Sequence, residues 1–234
     1  MPPTRTPVPA APPPRSGRRG ARLALVIGAV VVLVVGVTVA AVALGVSTAR
    51  SLQQDTVSRT FAGVREIVVE VDSGTVGLRP AEGPDVVATT VRHFSPGDEP
   101  VLTTAVADGV LTLRSDCPSF HLGCETEQQV AVPAGTAVSV RTVDGAIDAT
   151  GLWTPRFAAT TVDGPIRAGF AVVPDDVQAR TVSGDVHLAV PPAGYRVSTR
   201  SVSGDVGVRV VDDPAAPRTL TATTVSGAIQ LASA

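Results

Sequence analysis

The chain has 234 residues, room for one good-sized domain beside an anchor, and its apolar share of 44% allows a core. Aromatic residues make up 3%, with one Trp, one Tyr and one Met, so that core must be built from Val, Ile, Leu, Ala and Thr, a mixture that favours strands over helices. The net charge of -2 hides a division, since residues 1–50 carry six Arg and no acid while residues 51–234 hold all 21 acids against 13 Arg; an acidic body speaks against nucleic acid as a partner, because phosphate binding needs clustered cations.

The first 22 residues, with Pro2, Pro3, Pro7, Pro9, Pro12, Pro13 and Pro14, cannot bury a core and read as a disordered cytoplasmic tail. From Leu23 to Val46 there is no charge, and Thr38 is the only polar side chain. That run matches the ~20 residues a helix needs to cross a bilayer. Arg15, Arg18, Arg19 and Arg22 precede it and predict a cytoplasmic N-terminus with everything beyond Val46 outside the membrane. A cleaved signal peptide is the competing reading, with Ser47-Thr48-Ala49 as small residues near a cleavage point. The run exceeds the roughly 7–15 residues of an ordinary signal core, which favours a retained single-pass anchor. Residues 47–62 read as a linker.

Residues 63–234 are organised by a repeat. The dipeptide Asp/Ser-Gly recurs in TVDGAI at Gly145, TVDGPI at Gly164, TVSGDV at Gly184, SVSGDV at Gly204 and TVSGAI at Gly227, at intervals of about 20 residues, the period of a stacked solenoid. Seven residues before each Gly stand Val138, Phe157, Val177, Val197 and Leu220, and five before stand Val140, Ala159, Ala179, Thr199 and Ala222. Two after stand Ile147, Ile166, Val186, Val206 and Ile229, and four after stand Ala149, Ala168, Leu188, Val208 and Leu231. Polar residues fill the positions between, so each copy predicts strand, tight turn and strand with alternate side chains buried. Asp72-Ser73-Gly74 begins the series earlier, with Ile67, Val69, Val71, Val76 and Leu78 in the same columns. The runs 86–91, 110–113 and 130–132 also read as strands, without a rung assignment between residues 80 and 136.

Glycine at each turn accepts positive φ, and the preceding Asp or Ser is expected to hydrogen-bond the local backbone. The Val two before each Gly has outward parity, although a corner could turn it inward. The chain ends at Leu231-Ala232-Ser233-Ala234 just past the last motif, which predicts an open strand edge there and pairing with another chain.

Cys117 and Cys124 bracket a short loop and, in an exported protein, predict a disulfide. A metal site from Cys117, His121 and Cys124 lacks a fourth ligand and a recognised zinc spacing. Catalysis would start from Asp144 and Asp163, which the turn column sets on adjacent rungs. The column continues as Ser183, Ser203 and Ser226, however, as expected of residues that only form turns, and no nucleophile motif accompanies His93, His121 or His187. No catalytic, cofactor or metal residue is therefore assigned, and no cofactor is expected.

The series TVDGAIDATGL, TVDGPIRAGF, TVSGDVHLAVP, SVSGDVGVRV and TVSGAIQLAS resembles the "putative adhesin" family of bacterial β-strand-repeat proteins, a domain of unknown function. The resemblance covers residues 63–234, and the Cys117–Cys124 segment followed by Val132-Pro133-Ala134-Gly135 is similar to the actinobacterial branch. It implies a parallel β-solenoid-like stack, an envelope location and no established enzymatic activity, with no catalytic motif to carry over. The departures are the TVDG copies and the longer interval before Gly227, which bear on local turn geometry. The expected function is a membrane-anchored cell-envelope interaction or structural module that meets an envelope polymer, a protein or its own copies. An envelope-stress sensor and, behind it, a polysaccharide-active enzyme are the alternatives.

Overall fold

Alternation of Val, Ile, Leu and Ala with polar residues produces strands along nearly the whole of the body. The computed structural model describes residues 53–117 and 124–234, and in chain order the strands are β1 (Gln53–Phe61), β2 (Glu66–Pro80), β3 (Val86–Phe94), β4 (Val101–Ala107), β5 (Val110–Asp116), β6 (Glu125–Val132), β7 (Ala137–Asp144), β8 (Ile147–Leu152), β9 (Arg156–Thr160), β10 (Ile166–Phe170), β11 (Asp176–Arg180), β12 (Val186–Val190), β13 (Gly194–Ser203), β14 (Val206–Arg209), β15 (Val211–Asp212), β16 (Thr219–Ser226) and β17 (Ile229–Ser233). The expected tail 1–22 and membrane helix 23–46 lie outside the described residues, among which no helix is long and apolar enough to cross a membrane. The expected linker 47–62 needs correction at its end. Residues 53–61 form β1, which pairs with β3 from Gln53↔Phe94 to Phe61↔Val86.

Each repeat contributes one strand running into a glycine corner and one running out, so the rungs build two facing sheets. The inbound sheet runs β4, β5, β2, β7, β9, β11, β16, β13, and the outbound sheet runs β1, β3, β6, β2, β8, β10, β12, β17, β14, with the long β2 bending through both. Pairing is parallel between successive rungs, as expected of a solenoid. At the β1 end it changes, since β1–β3, β3–β6 and β4–β5 are antiparallel.

The core columns read from the sequence are in register across the rungs, Ile147↔Ile166↔Val186↔Ile229 in one sheet and Val138↔Phe157↔Val177↔Leu220 in the other, all essentially buried. Phe157 and Phe170, far from the corner, meet edge to face at 5.5 Å, while Ala159, Ala179 and Ala222 lie nearer to it. At about 25 cal/mol per Å² of apolar surface, such columns are stable only when neighbouring rungs cover them, so no repeat stands alone.

The order of rungs in space differs from their order in sequence. From one end the corners run Gly74, Gly145, Gly164, Gly184, Gly227 and then Gly204, because β16 lies between β11 and β13 and β17 between β12 and β14. The C-terminal strand is therefore interior, and the expected open edge on it is overturned. The outermost rung at that end is β13–β14 instead. The other end repeats the device: β5 and β6 flank β2 on its outer side, with β3 and β4 beyond them. Cys117 and Cys124 close a disulfide at the corner of the β5–β6 rung, where the other rungs have their glycine turn, with Cα atoms 6.0 Å apart.

Candidate interaction surface

The corner is built from four residues with separate duties. The six glycines Gly74, Gly145, Gly164, Gly184, Gly204 and Gly227 all have φ between 132° and 156°, and from Gly145 onward a Cβ on each would overlap the carbonyl oxygen of the glycine one rung earlier in the stack. In four rungs the hydroxyl three before the glycine turns inward and donates to that same carbonyl: Thr161 to Gly145 at 3.2 Å, Thr181 to Gly164 at 3.1 Å, Thr224 to Gly184 at 3.0 Å, with Ser201 to Gly227 at 3.0 Å in the terminal rung, whereas Thr142 in the Gly145 rung is buried without a hydrogen-bond partner. The repeated Thr in TVDG and TVSG signals this bond, although the hydrophobic columns alone give it no role.

The residue just before the glycine acts through its backbone. Gly145 N–H donates to the Asp163 carbonyl, Gly164 to Ser183, Gly184 to Ser226 and Gly227 to Ser203, at 2.8 to 2.9 Å. The expected side-chain bond to the local backbone is not what ties the corner, which explains why Asp and Ser interchange. Asp144 and Asp163 do stand side by side on adjacent rungs, as the sequence predicts, but both are exposed on the corner. A small cleft lined by Val57, Phe61, Thr90, Leu102, Leu113 and Gln128 lies among β1, β3, β4, β5 and β6 and involves neither Asp. Among the described residues no group of three or more His, Cys, Asp or Glu is gathered for a metal ion.

The fourth residue, the Val two before each of the five glycines from Gly145 onward, faces solvent. Val143, Val162, Val182, Val225 and Val202 follow one another along the corner, the least exposed at 47% and the terminal Val202 at 71%. Since strands are spaced about 4.8 Å apart, this is an apolar ridge roughly 20 Å long. Beside it on the inbound sheet, register places Arg114, Glu70, Arg141, Thr160, Arg180, Thr223 and Arg200 in one column. Arginine thus occupies every second rung, at a spacing of about 10 Å.

The arginines of this column are not equivalent. Arg114 bonds Asp116 at 2.8 Å and approaches Glu70 at 3.4 Å, and the Asp116 hydrogen bond raises its pKa further above the ordinary arginine value. Arg141, Arg180 and Arg200 are exposed and make no ion pair among the described residues. From β7 to β13 the outer face of the inbound sheet also carries Arg156 and Arg196, against Asp176, whose carboxylate accepts bonds from Thr219 and Gln178, and against Asp144 and Asp163 at the corner. The acidic body therefore has one basic face, bordered by an apolar ridge.

Residues 129–232 match the family model described as Toastrack DUF4097. No curated protein matches the sequence. Among solved structures, a "putative cell adhesion protein" from Clostridium sporogenes is 12% identical, covers 78% of this chain and 100% of its own, and superposes with a TM-score of 0.55, a likeness of fold. A "putative adhesin" from Bacteroides fragilis, 11% identical over 78% of this chain and 98% of its own, gives a TM-score of 0.35. The match spans the C-terminal repeats, where parallel rungs carry their glycine corners in one row, and is a similarity to the Toastrack DUF4097 family over less than half of the chain.

Proposed function

We propose that this chain is a non-enzymatic interaction module of the bacterial cell envelope, held outside the cytoplasmic membrane by residues 23–46, whose basic inbound face and valine ridge bind an extended anionic envelope polymer. The observation that carries the reading is the column Arg141, Arg180 and Arg200, unpaired and evenly repeated. A linear polymer presents equivalent anionic groups at intervals, and a straight row of cations meets it without distortion of either partner. The apolar ridge offers contact to the uncharged part of each unit. The charge-free run 23–46 with arginines before it, and the Cys117–Cys124 disulfide, support an extracytoplasmic setting. The adhesion label of the solved relatives agrees with a binding role. The exposed Asp144–Asp163 pair lacks the enclosed site that hydrolysis needs.

The test is binding of the full chain, in detergent micelles, to poly(glycerol phosphate). Replacing Arg141, Arg180 and Arg200 together by Gln is expected to weaken binding about tenfold, taking roughly 0.5 kcal/mol per exposed ion contact. Wild-type binding should also weaken with salt. Replacing Arg59, Arg79 and Arg167, which lie on other surfaces, should leave binding unchanged. Equal loss in the two triple variants, or salt-independent binding, would remove the proposal. The mass of the mature protein decides whether residues 23–46 are retained.

A further inference from the structure

The terminal rung exposes what every interior rung hides. Val206 and Val208 stand in the columns where Val186, Leu188, Ile229 and Leu231 are buried, yet they are 45% and 41% exposed, because no rung lies beyond them. Val211, in β15 against Gly194, is exposed as well. The edge is guarded in one place only: β15 pairs with Gly194 and Tyr195, and the Asp212 carboxylate accepts the Val197 N–H at 3.1 Å. From Ser198 onward β13, and all of β14, have no strand on their outer side among the described residues. Apolar core positions beside an unpaired edge form a surface that associates with another strand.

The sequence of that edge specifies which strand fits. Asp205-Val206-Gly207-Val208-Arg209 is self-complementary about Gly207. Antiparallel pairing with the same segment of a second copy sets Asp205 opposite Arg209 and Val206 opposite Val208, each pair occurring twice by symmetry. The inward valines of the two copies then cover one another, and the outward Asp205 and Arg209, which make no ion pair among the described residues, meet across the seam. A twofold axis demands this antiparallel arrangement. A head-to-tail filament would instead lay β14 parallel to β1, because β1 runs in the direction of the stack.

We propose that two copies of this chain dock end to end through β14, closing both cores and joining their outbound sheets into one. The docking strand β14 carries none of the column's arginines, of which only Arg200 lies on the same terminal rung, so the proposal stands or falls independently of the polymer reading.

Gly207 provides the direct test, since its backbone φ is ordinary and a Cβ there meets nothing closer than the Ile229 carbonyl oxygen at 4.0 Å. Opposed residues in an antiparallel pair have Cα atoms about 4.5–5.5 Å apart, within disulfide range. Full-length Gly207→Cys in membranes is expected to give a reducible dimer, and Thr150→Cys, on the same face of the interior strand β8, is not. In detergent, light scattering should show a dimer for wild type and a monomer for Val208→Glu. Asp205→Arg should weaken the dimer about tenfold, since two ion pairs become repulsive. Adding Arg209→Asp should restore it, which a merely misfolded variant would not do. A monomeric wild type, Gly207→Cys cross-linked to a different protein or not at all, or a double swap that fails to rescue would each overturn the proposal.

Discussion

At each corner the backbone of one rung passes so close to its neighbour that a methyl group does not fit. Gly164 shows both constraints, with φ of 149° and the Gly145 carbonyl oxygen in the place of its missing Cβ. Gly164→Ala should therefore lower stability by about 3 kcal/mol or more. Gly169 lies in β10, where an added Cβ would have its nearest neighbour at 3.7 Å. Gly169→Ala should change stability by no more than about 1 kcal/mol. Chemical denaturation of the two variants makes the comparison; equal losses would mean that glycine serves something other than the corner. The only tyrosine gives a second residue-scale prediction. Tyr195 is fully buried with its hydroxyl donating to the Pro191 carbonyl at 2.8 Å, and burial raises its pKa, partly offset by Arg218. A raised folded pKa means that its stabilising contribution is complete below the unfolded value near 10 and is lost as pH rises through the folded value. With no lysine in the chain, alkaline destabilisation above about pH 10 should be largely absent from Tyr195→Phe, which at neutral pH should be less stable by about 1 kcal/mol. Denaturation curves at both pH values check this, and identical alkaline losses would refute it.

At the scale of elements, strand, corner and strand were legible because the side-chain period is 2 and glycine punctuates it. The segments 86–91, 110–113 and 130–132 fall within β3, β5 and β6, but which rung they join depends on long-range pairing. The interchange of the last two rungs was equally hidden, since β13 and β16 offer nearly the same columns to β11. Two local departures mark the outer rung all the same: Thr199 stands where the other copies have Val or Ala, and Ser201 replaces the corner Thr. A rung covered on one side tolerates polar substitution. Interior placement of β16 and β17 has a measurable consequence. A chain ending at Arg218 would lose the rung between Gly184 and Gly204, not an outer one, leaving Val177, Ala179, Val186 and Leu188 uncovered and β13–β14 unattached. Limited proteolysis should then cut β13 and β14 rapidly and reach β11 and β12, whereas trimming an outer rung would leave a resistant body.

On the scale of the molecule, what matters is which outward residues become neighbours. The sequence shows an acidic body, a composition that argues against anionic partners, yet parallel stacking gathers Arg141, Arg180 and Arg200 from repeats far apart in the chain into one row. The parity of the corner valines was open until the backbone placed them outside, and the terminus that looked like an exposed edge proved to be covered on both sides. The sequence alone determined the β class, the repeat, the core columns, the glycine corners and the cysteine pair, because each follows from alternation and spacing within about 20 residues. Tertiary structure alone decided the order of the rungs, the terminal edge and the basic face. Parallel pairing joins residues one rung or more apart, and nearly identical repeats leave the choice of neighbour to the packing of the whole stack.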